Sequence, residues 1–251
     1  AQPGGQVARA ALLSMLAQVE AGSCCPITMT FAAWPVLRND PALGKEWGPL
    51  LRGTAYEPRL LPPREKGAVL VGMAMTEKQG GSDVRANTTG AAPAGAHDGR
   101  EAYALTGHKW FCSAPMSDAF FTLACLPEGV TCFFVPRSLP DGTRNTFLIQ
   151  RLKDKCGNRS NASSEIEYRD THAWIVGEPG RGIATLIEMA HHTRFDIVVA
   201  TAAMMRLALD EALHHARHRQ ALGKHLADHA LMQNVLADLA LEAEAATRLA
   251  F

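Results

Sequence analysis

The sequence predicts an α+β protein in three parts: an N-terminal helical region over 1–66, a central antiparallel β-domain over 67–178 and a C-terminal helical bundle over 179–251. Three observations predict it. Residues 6–21 hold neither Gly nor Pro and are rich in Ala, Leu and Gln, as a helix requires. From Lys66 onward, short apolar or alternating runs (68–75, 102–105, 119–125, 130–135 and 164–168) stand between turn clusters such as Pro140-Asp141-Gly142. That is the punctuation of strands in a sandwich or barrel. From Leu186 the pattern is helical again.

Within the first part, Gly22 is placed to close the first helix and Pro26 to sit in the first turn of the next. That second helix should end or kink near Pro35, because proline removes a helix donor. A short helical piece follows over 42–52, and Pro62-Pro63 ends the region. In the third part, 197–213 is apolar on nearly every face, with Arg206 and Asp210 the main exceptions, and so reads as buried. Met232, Leu236, Leu239, Ala243, Ala246 and Ala250 recur by four and three, the spacing of a bundle seam.

With 251 residues, 47% of them hydrophobic, the chain can bury a sizeable core. Lys plus Arg and Asp plus Glu balance at 25 each, so net charge gives no sign of a nucleic-acid or membrane surface. No apolar run is long enough to span a bilayer and no signal peptide is visible. Cys24, Cys25, Cys112, Cys125, Cys132 and Cys156 show no C-x-x-C spacing and read as reduced thiols of a cytoplasmic protein. The chain starts at Ala1 without a methionine and stops at Phe251 inside a helical pattern, as a piece of a longer protein would.

The chemistry concentrates in two stretches. In the first, the apolar run 68–75 ends abruptly in Thr76-Glu77-Lys78-Gln79-Gly80-Gly81-Ser82-Asp83. Hydroxyls stand there beside glycines that allow a ligand close to the backbone. No Gly-Lys-Ser/Thr follows, so it is no Walker loop, and it lacks the G-x-G-x-x-G of a dinucleotide-binding turn. The glycines of Gly177-Glu178-Pro179-Gly180-Arg181-Gly182 are in the wrong order for that fingerprint and suit the entry loop of a helix. The second stretch, Gly107-His108-Lys109-Trp110-Phe111-Cys112-Ser113, sets aromatic bulk beside one small hydroxyl. Alone, each is an ordinary turn or core segment. Together they suit a large, flat, phosphorylated cofactor.

The paired order, Met-Thr-Glu-x-x-Gly-Gly-Ser-Asp-Val and then Gly-x-Lys-Trp-Phe-x-Ser, resembles the acyl-CoA dehydrogenase flavoprotein family. The likeness is strongest to its alkylation-response, AidB-like branch. It rests on Lys78-Gln79-Gly80, where the wider family has Pro-Gly-Ala, and on the run from Leu152 to Ser163. Thr193-Arg194-Phe195-Asp196 and the run from Pro26 to Ala33 add to it.

The resemblance implies the same helix–strand–helix architecture, its last part a four-helix bundle of which about two helices are present. It implies FAD as cofactor and a homo-oligomer, a tetramer in the family. The implied activity is oxidation of acyl-CoA thioesters by α-proton abstraction and hydride transfer to flavin N5. The alternative it carries is a DNA-associated protective flavoprotein with little turnover, its DNA contacts in a basic region beyond Phe251.

Residue by residue, the likeness puts Ser113 beside flavin N5, Phe111 on the ring and Cys112 between them. Backbone groups of Met73, Ala74, Met75 and Thr76 would hold the ring edge, with Gly81 and Ser82 at the pyrophosphate. Arg219, in Arg219-Gln220-Ala221-Leu222-Gly223, matches the arginine that binds the FAD of a neighbouring subunit, with Leu222 where the family has a stacking phenylalanine. The family places its catalytic glutamate either just before the position of Arg194, where this chain has Thr193, or well beyond Phe251. No catalytic base is therefore assigned, and Asp196 reads as the structural partner of a cation. His214 and His218, four apart on a helix, have a metal-ligand spacing. The surrounding His215, Arg217, Arg219 and Lys224 make the same stretch a basic helix end, and no metal is expected.

Overall fold

A computed structural model describes residues 3–97 and 99–251. The described residues divide into two compact units: Cys25–Thr193, and the residues up to Cys24 together with Arg194–Phe251.

In the first unit, α2 (Cys24–Leu37) and α3 (Pro41–Trp47) precede seven strands. Pro35 lies inside α2, which ends two residues later. Asp40 caps α3, its carboxylate accepting the N–H groups of Ala42 and Leu43 at 3.1 and 3.0 Å. The strands are β1 (Val71–Ala74), β2 (Gly90–His97), β3 (Arg100–Ser113), β4 (Ala119–Leu126), β5 (Gly129–Pro136), β6 (Phe147–Leu152) and β7 (Ser163–Ile175). Pairings β4-β2-β3-β7-β5 return to β4 and close a ring, with β1 added on β4 and β6 on β7. Most pairs are antiparallel, as expected, but β1 runs parallel to β4 and β2 meets β4 in parallel at Gly90 and Cys125. The sheet is therefore mixed. The segment between β1 and β4 contains the β2–β3 hairpin, so the chain returns to the side of β1 in the same direction.

Period-two alternation sorts the side chains into two cores. Phe121, Leu123 and Phe134 face outward and pack with Met29, Leu37, Leu43 and Trp47 of α2 and α3. Phe120, Ala124, Phe133 and Val135 face into the ring with Leu105, Cys112, Phe147 and Tyr168. Strands with both faces covered read as continuous apolar runs, which is why 119–125 and 130–135 are legible in the sequence. β2 and β6 are not: Gly90–His97 is largely exposed Ala and Gly, and most of Phe147–Leu152 is exposed too.

In the second unit, α1 (Gly5–Val19) and α5 (Ala230–Ala250) join the long helix α4 (Gly182–His218), whose first turns belong to the other unit. The loop before Gly182 is a helix entry, as its glycine order suggested. Ala10, Leu13 and Ala17 of α1 form a core with Val199, Ala202 and Ala203 of α4 and Ala250 of α5. Two expectations fail here. The stretch 197–213 is buried along one stripe only: Ile197, Val198 and Met204 are exposed. Val199, Ala202 and Ala203 are the buried residues that pack on that stripe against α1 and α5. On α5, Leu239 is also exposed, while Leu236, Ala243 and Ala250 are buried. Seven-residue spacing keeps those three aligned, and Leu239 falls off their line. Asp196 is a structural partner: both its oxygens accept Arg9 guanidinium N–H groups, at 2.7 and 2.5 Å.

Candidate functional site

The two stretches singled out in the sequence meet at one end of the ring. After β1, the chain from Met75 to Thr89 folds over the last residues of β3. Thr76 O accepts the Trp110 N–H at 2.7 Å, and Lys78 N donates to His108 Nε2 at 3.0 Å. Asn87 Nδ2 holds the Met75 carbonyl at 2.8 Å, and Gln79 Nε2 donates to Asn87 Oδ1 at 3.1 Å. Gly80, at φ +112°, closes the turn with its N–H on Glu77 O.

The anchor beneath this fold is Glu77. Its carboxylate accepts Lys109 Nζ at 2.7 Å, the Thr88 and Thr89 N–H groups at 2.7 and 3.1 Å, and both threonine hydroxyls at 3.0 and 2.6 Å. Glu77 and Lys109 are both fully buried. Burial pushes the Glu77 carboxyl up, but the Lys109 and threonine donors outweigh it and hold the carboxyl down at about 2. Neither residue was singled out as functional in the sequence, where they lie 32 positions apart.

A β-bulge sets the aromatic end of the site. Against β7, Lys109 pairs with Ile166 and Cys112 with Ser164, so β3 carries one residue more than its partner between these points. The extra residue keeps Lys109 and Cys112 both inward and leaves Phe111 outward, its ring about half exposed (48%). Lys153 Nζ lies 4.3 Å from the Phe111 ring centre and 3.7 Å from that of Trp110, within cation–π range. Ser113, half-buried, pairs with Ser163 across the strands, the two Oγ atoms 3.1 Å apart. Lys155 Nζ donates to Ser163 Oγ at 3.1 Å and to the Asn161 carbonyl. A recess of about 200 Å³ opens beside them, lined by residues 152–155 and 159–163. Asn161 Oδ1 is buried there with no hydrogen-bond partner.

The other candidates distribute as follows. Met73 and Met75 are partly buried and pack against the outer core. The Ala74 and Cys112 side chains are buried in the inner core, so these residues offer a ligand only their backbone. Burial pushes the Cys112 thiol well up. Ala74 O already accepts Thr122 Oγ1, and Cys112 O accepts Ser164 Oγ. Gly81 and Ser82 are exposed, and a Cβ at Gly81 would stand 2.8 Å from Thr76 Oγ1. Arg219 is exposed in the second unit, where its carbonyl accepts the Leu226 N–H in the turn that follows α4. His214 and His218 stack at 4.3 Å, and His218 Nδ1 bonds the His214 carbonyl. None of the six cysteines is in a disulfide. No helix among the described residues is long and apolar enough to cross a membrane.

Three family models match the chain: the adaptive response protein AidB N-terminal domain over 1–58, the acyl-CoA dehydrogenase middle domain over 72–171 and the acyl-CoA dehydrogenase C-terminal domain over 180–251. AidB of Escherichia coli (strain K12) is 50% identical over 252 residues, covering 100% of this chain and 46% of that protein. Caenorhabditis elegans ACDH-11, solved in complex with C11-CoA, is similar at 28% identity and a TM-score of 0.76, over 87% of this chain and 37% of that one. A Mycobacterium smegmatis glutaryl-CoA dehydrogenase in complex with FADH2 shares the fold at 20% identity and a TM-score of 0.75, over 95% of this chain and 57% of that one. The chain thus spans about half the length of the relatives it matches. With models of that family matched in order along it and half its residues shared with AidB, the chain belongs to the acyl-CoA dehydrogenase family, in its AidB-like branch.

Proposed function

We propose that this chain is the flavin-binding portion of an FAD-dependent, acyl-CoA dehydrogenase-like oxidoreductase. The observation that carries the reading is the bulged end of β3, which turns a flat aromatic ring, Phe111, outward two residues before the half-buried hydroxyl of Ser113. A flavin asks a protein for those two groups, a platform for its ring and a hydrogen-bond partner near N5. The exposed glycine turn with Ser82 fits the pyrophosphate, and the buried, unpartnered Asn161 Oδ1 marks a polar recess beside the ring position.

In this reading Phe111 packs on the ring and Ser113 donates toward N5. Backbone groups of Met73, Ala74, Met75, Thr76 and Cys112 hold the ring edge, and Gly81 and Ser82 meet the pyrophosphate. Arg219 serves the FAD of a neighbouring subunit in a homo-oligomer. When bound, the flavin supplies a hydride acceptor. The substrate proposed is an acyl-CoA thioester, the class of ligand seen with ACDH-11. No base for the α-proton is assigned: Thr193 has no carboxylate, Asp196 is held by Arg9, and Glu188 faces Arg38 at 3.5 Å.

The full-length protein is expected to be yellow and to release FAD, not FMN, on denaturation, as mass spectrometry of the chromophore would show. A colourless protein that cannot be reconstituted with FAD would sink the reading. The adaptive-response branch carries a second reading, a DNA-associated protective flavoprotein. Duplex affinity comes largely from Lys and Arg neutralising phosphates, and residues 1–251 have a net charge of zero. This segment alone is therefore expected to show no sub-micromolar gel shift on duplex DNA at physiological salt, whereas a tight shift would place DNA contacts within it.

A further inference from the structure

Two hydroxyls 3.1 Å apart, Ser113 and Ser163, do not by themselves say which donates. Lys155 decides it. An ammonium group has three protons and no lone pair, so the contact of Lys155 Nζ with Ser163 Oγ at 3.1 Å makes Ser163 the acceptor there. Ser163 is buried and sits opposite Ser113 in the β3–β7 register. Ser163 Oγ keeps a second lone pair, but an oxygen that accepts from an ammonium polarises its own O–H, which makes Ser163 the better donor of the two toward Ser113 Oγ. The Ser113 oxygen is then an acceptor on the Ser163 side, and its proton must point elsewhere. Within the protein the Cys25 thiol, a weak acceptor, stands within hydrogen-bond reach of Ser113. The loop that carries Lys155 is braced: Lys155 also donates to the Asn161 carbonyl, and Lys153 N donates to the Ser163 carbonyl at 2.8 Å.

We propose that Ser163, oriented by Lys155, is a positioning residue that fixes the Ser113 hydroxyl as a donor toward the bound flavin. This rests on the flavin reading above. The order is Lys155 N–H to Ser163 Oγ, Ser163 O–H to Ser113 Oγ, and Ser113 O–H to the acceptor nitrogen of the oxidised ring. Reduced flavin carries a proton at that nitrogen, so the fixed donor favours the oxidised form.

The test is a double-mutant cycle on the full-length protein, with affinity for oxidised FAD and the reduction potential of the bound flavin as readouts. Ser113→Ala should weaken oxidised FAD by about three- to tenfold. Ser163→Ala should weaken it about threefold, with Ser113 intact. The double variant should be no weaker than Ser113→Ala alone, because Ser163 acts only through Ser113. Both single variants should raise the potential, by about 30 mV for each tenfold change in the ratio of reduced to oxidised binding. Lys155→Met leaves both serines in place and should weaken oxidised FAD about as much as Ser163→Ala; it carries the test if Ser163→Ala does not fold. Wild-type affinity and potential in Ser163→Ala, or effects that multiply in the double variant, overturn the relay while leaving FAD binding standing. A wild-type protein that takes up no FAD overturns the flavin reading and the relay with it.

Discussion

Lys109→Met is expected to lower the stability of the chain by about 3–5 kcal/mol, the cost of removing one partner of a buried ion pair. For a chain of this length that is a fall in Tm on the order of 10 °C. Lys109 and Glu77 have no solvent exposure. Methionine fills much of the lysine volume, so the loss is electrostatic and not a cavity effect. The stranded Glu77 carboxylate keeps only its threonine donors. The cost should also depend on pH. In the wild type the folded-state pKa of Glu77 is depressed, from the ordinary 4.5 to about 2. Its contribution is therefore present above 4.5 and is lost as pH falls from there toward 2. In the variant, burial acts without its cation and pushes the carboxyl up, so acid relieves the strain. The gap between wild type and Lys109→Met in urea midpoint should be wide at pH 7 and narrower near pH 4. Adding Glu77→Gln to Lys109→Met should recover part of the loss. An unchanged midpoint at pH 7 would mean that the pair does not anchor the turn.

A loss of similar size is expected for Lys66→Met, at the other end of β1. Lys66 Nζ meets Asp118 Oδ1 at 2.5 Å, and both side chains are buried. Asp118 Oδ2 accepts the Leu70 N–H at 2.9 Å, and Asp118 N donates to Leu70 O at 2.8 Å. The pair thus ties the start of β1 to the start of β4, where their parallel register begins at Val71 and Ala119. The pH behaviour has the opposite sign to that of Glu77. Burial dominates at Asp118 and raises its carboxyl above the ordinary 3.8 despite Lys66. A raised carboxyl favours the folded state below its unfolded pKa, and that gain is lost as pH rises through the folded value. Without Lys66 the carboxyl rises further, so the variant should lose about 3–5 kcal/mol at pH 7 and markedly less near pH 4. Asp118→Asn keeps the Leu70 bond and should restore much of the stability of Lys66→Met, whereas an additive loss would show that the two side chains do not interact.

These two pairs show where reading the sequence stops. Glu77 stands among glycines and polar residues that mark a turn, and Lys109 ends a polar stretch beside two aromatics. Nothing local says that either charge is buried, because burial is decided by which strand lies across the ring. Ser113 and Phe111 were legible as a pair only through a motif. The bulge that keeps Cys112 inward and leaves Phe111 outward depends on β7, more than fifty residues further on.

The sequence by itself determined the order of helices, strands and helices, the two fully covered strands β4 and β5, the helix-entry glycines before α4 and the role of Asp196 as a cation's partner. Each of these follows from composition, periodicity or charge over a short span. Tertiary structure alone decided the closure of the ring, the parallel placement of β1, the weakly patterned β2 and β6, the half-exposed face of α4 and the meeting of Lys155, Ser163 and Ser113. All of these depend on partners distant in the chain. A strand with little apolar pattern is held by its neighbours' N–H and C=O groups, and a hydroxyl's direction is set by whichever group faces it across the sheet.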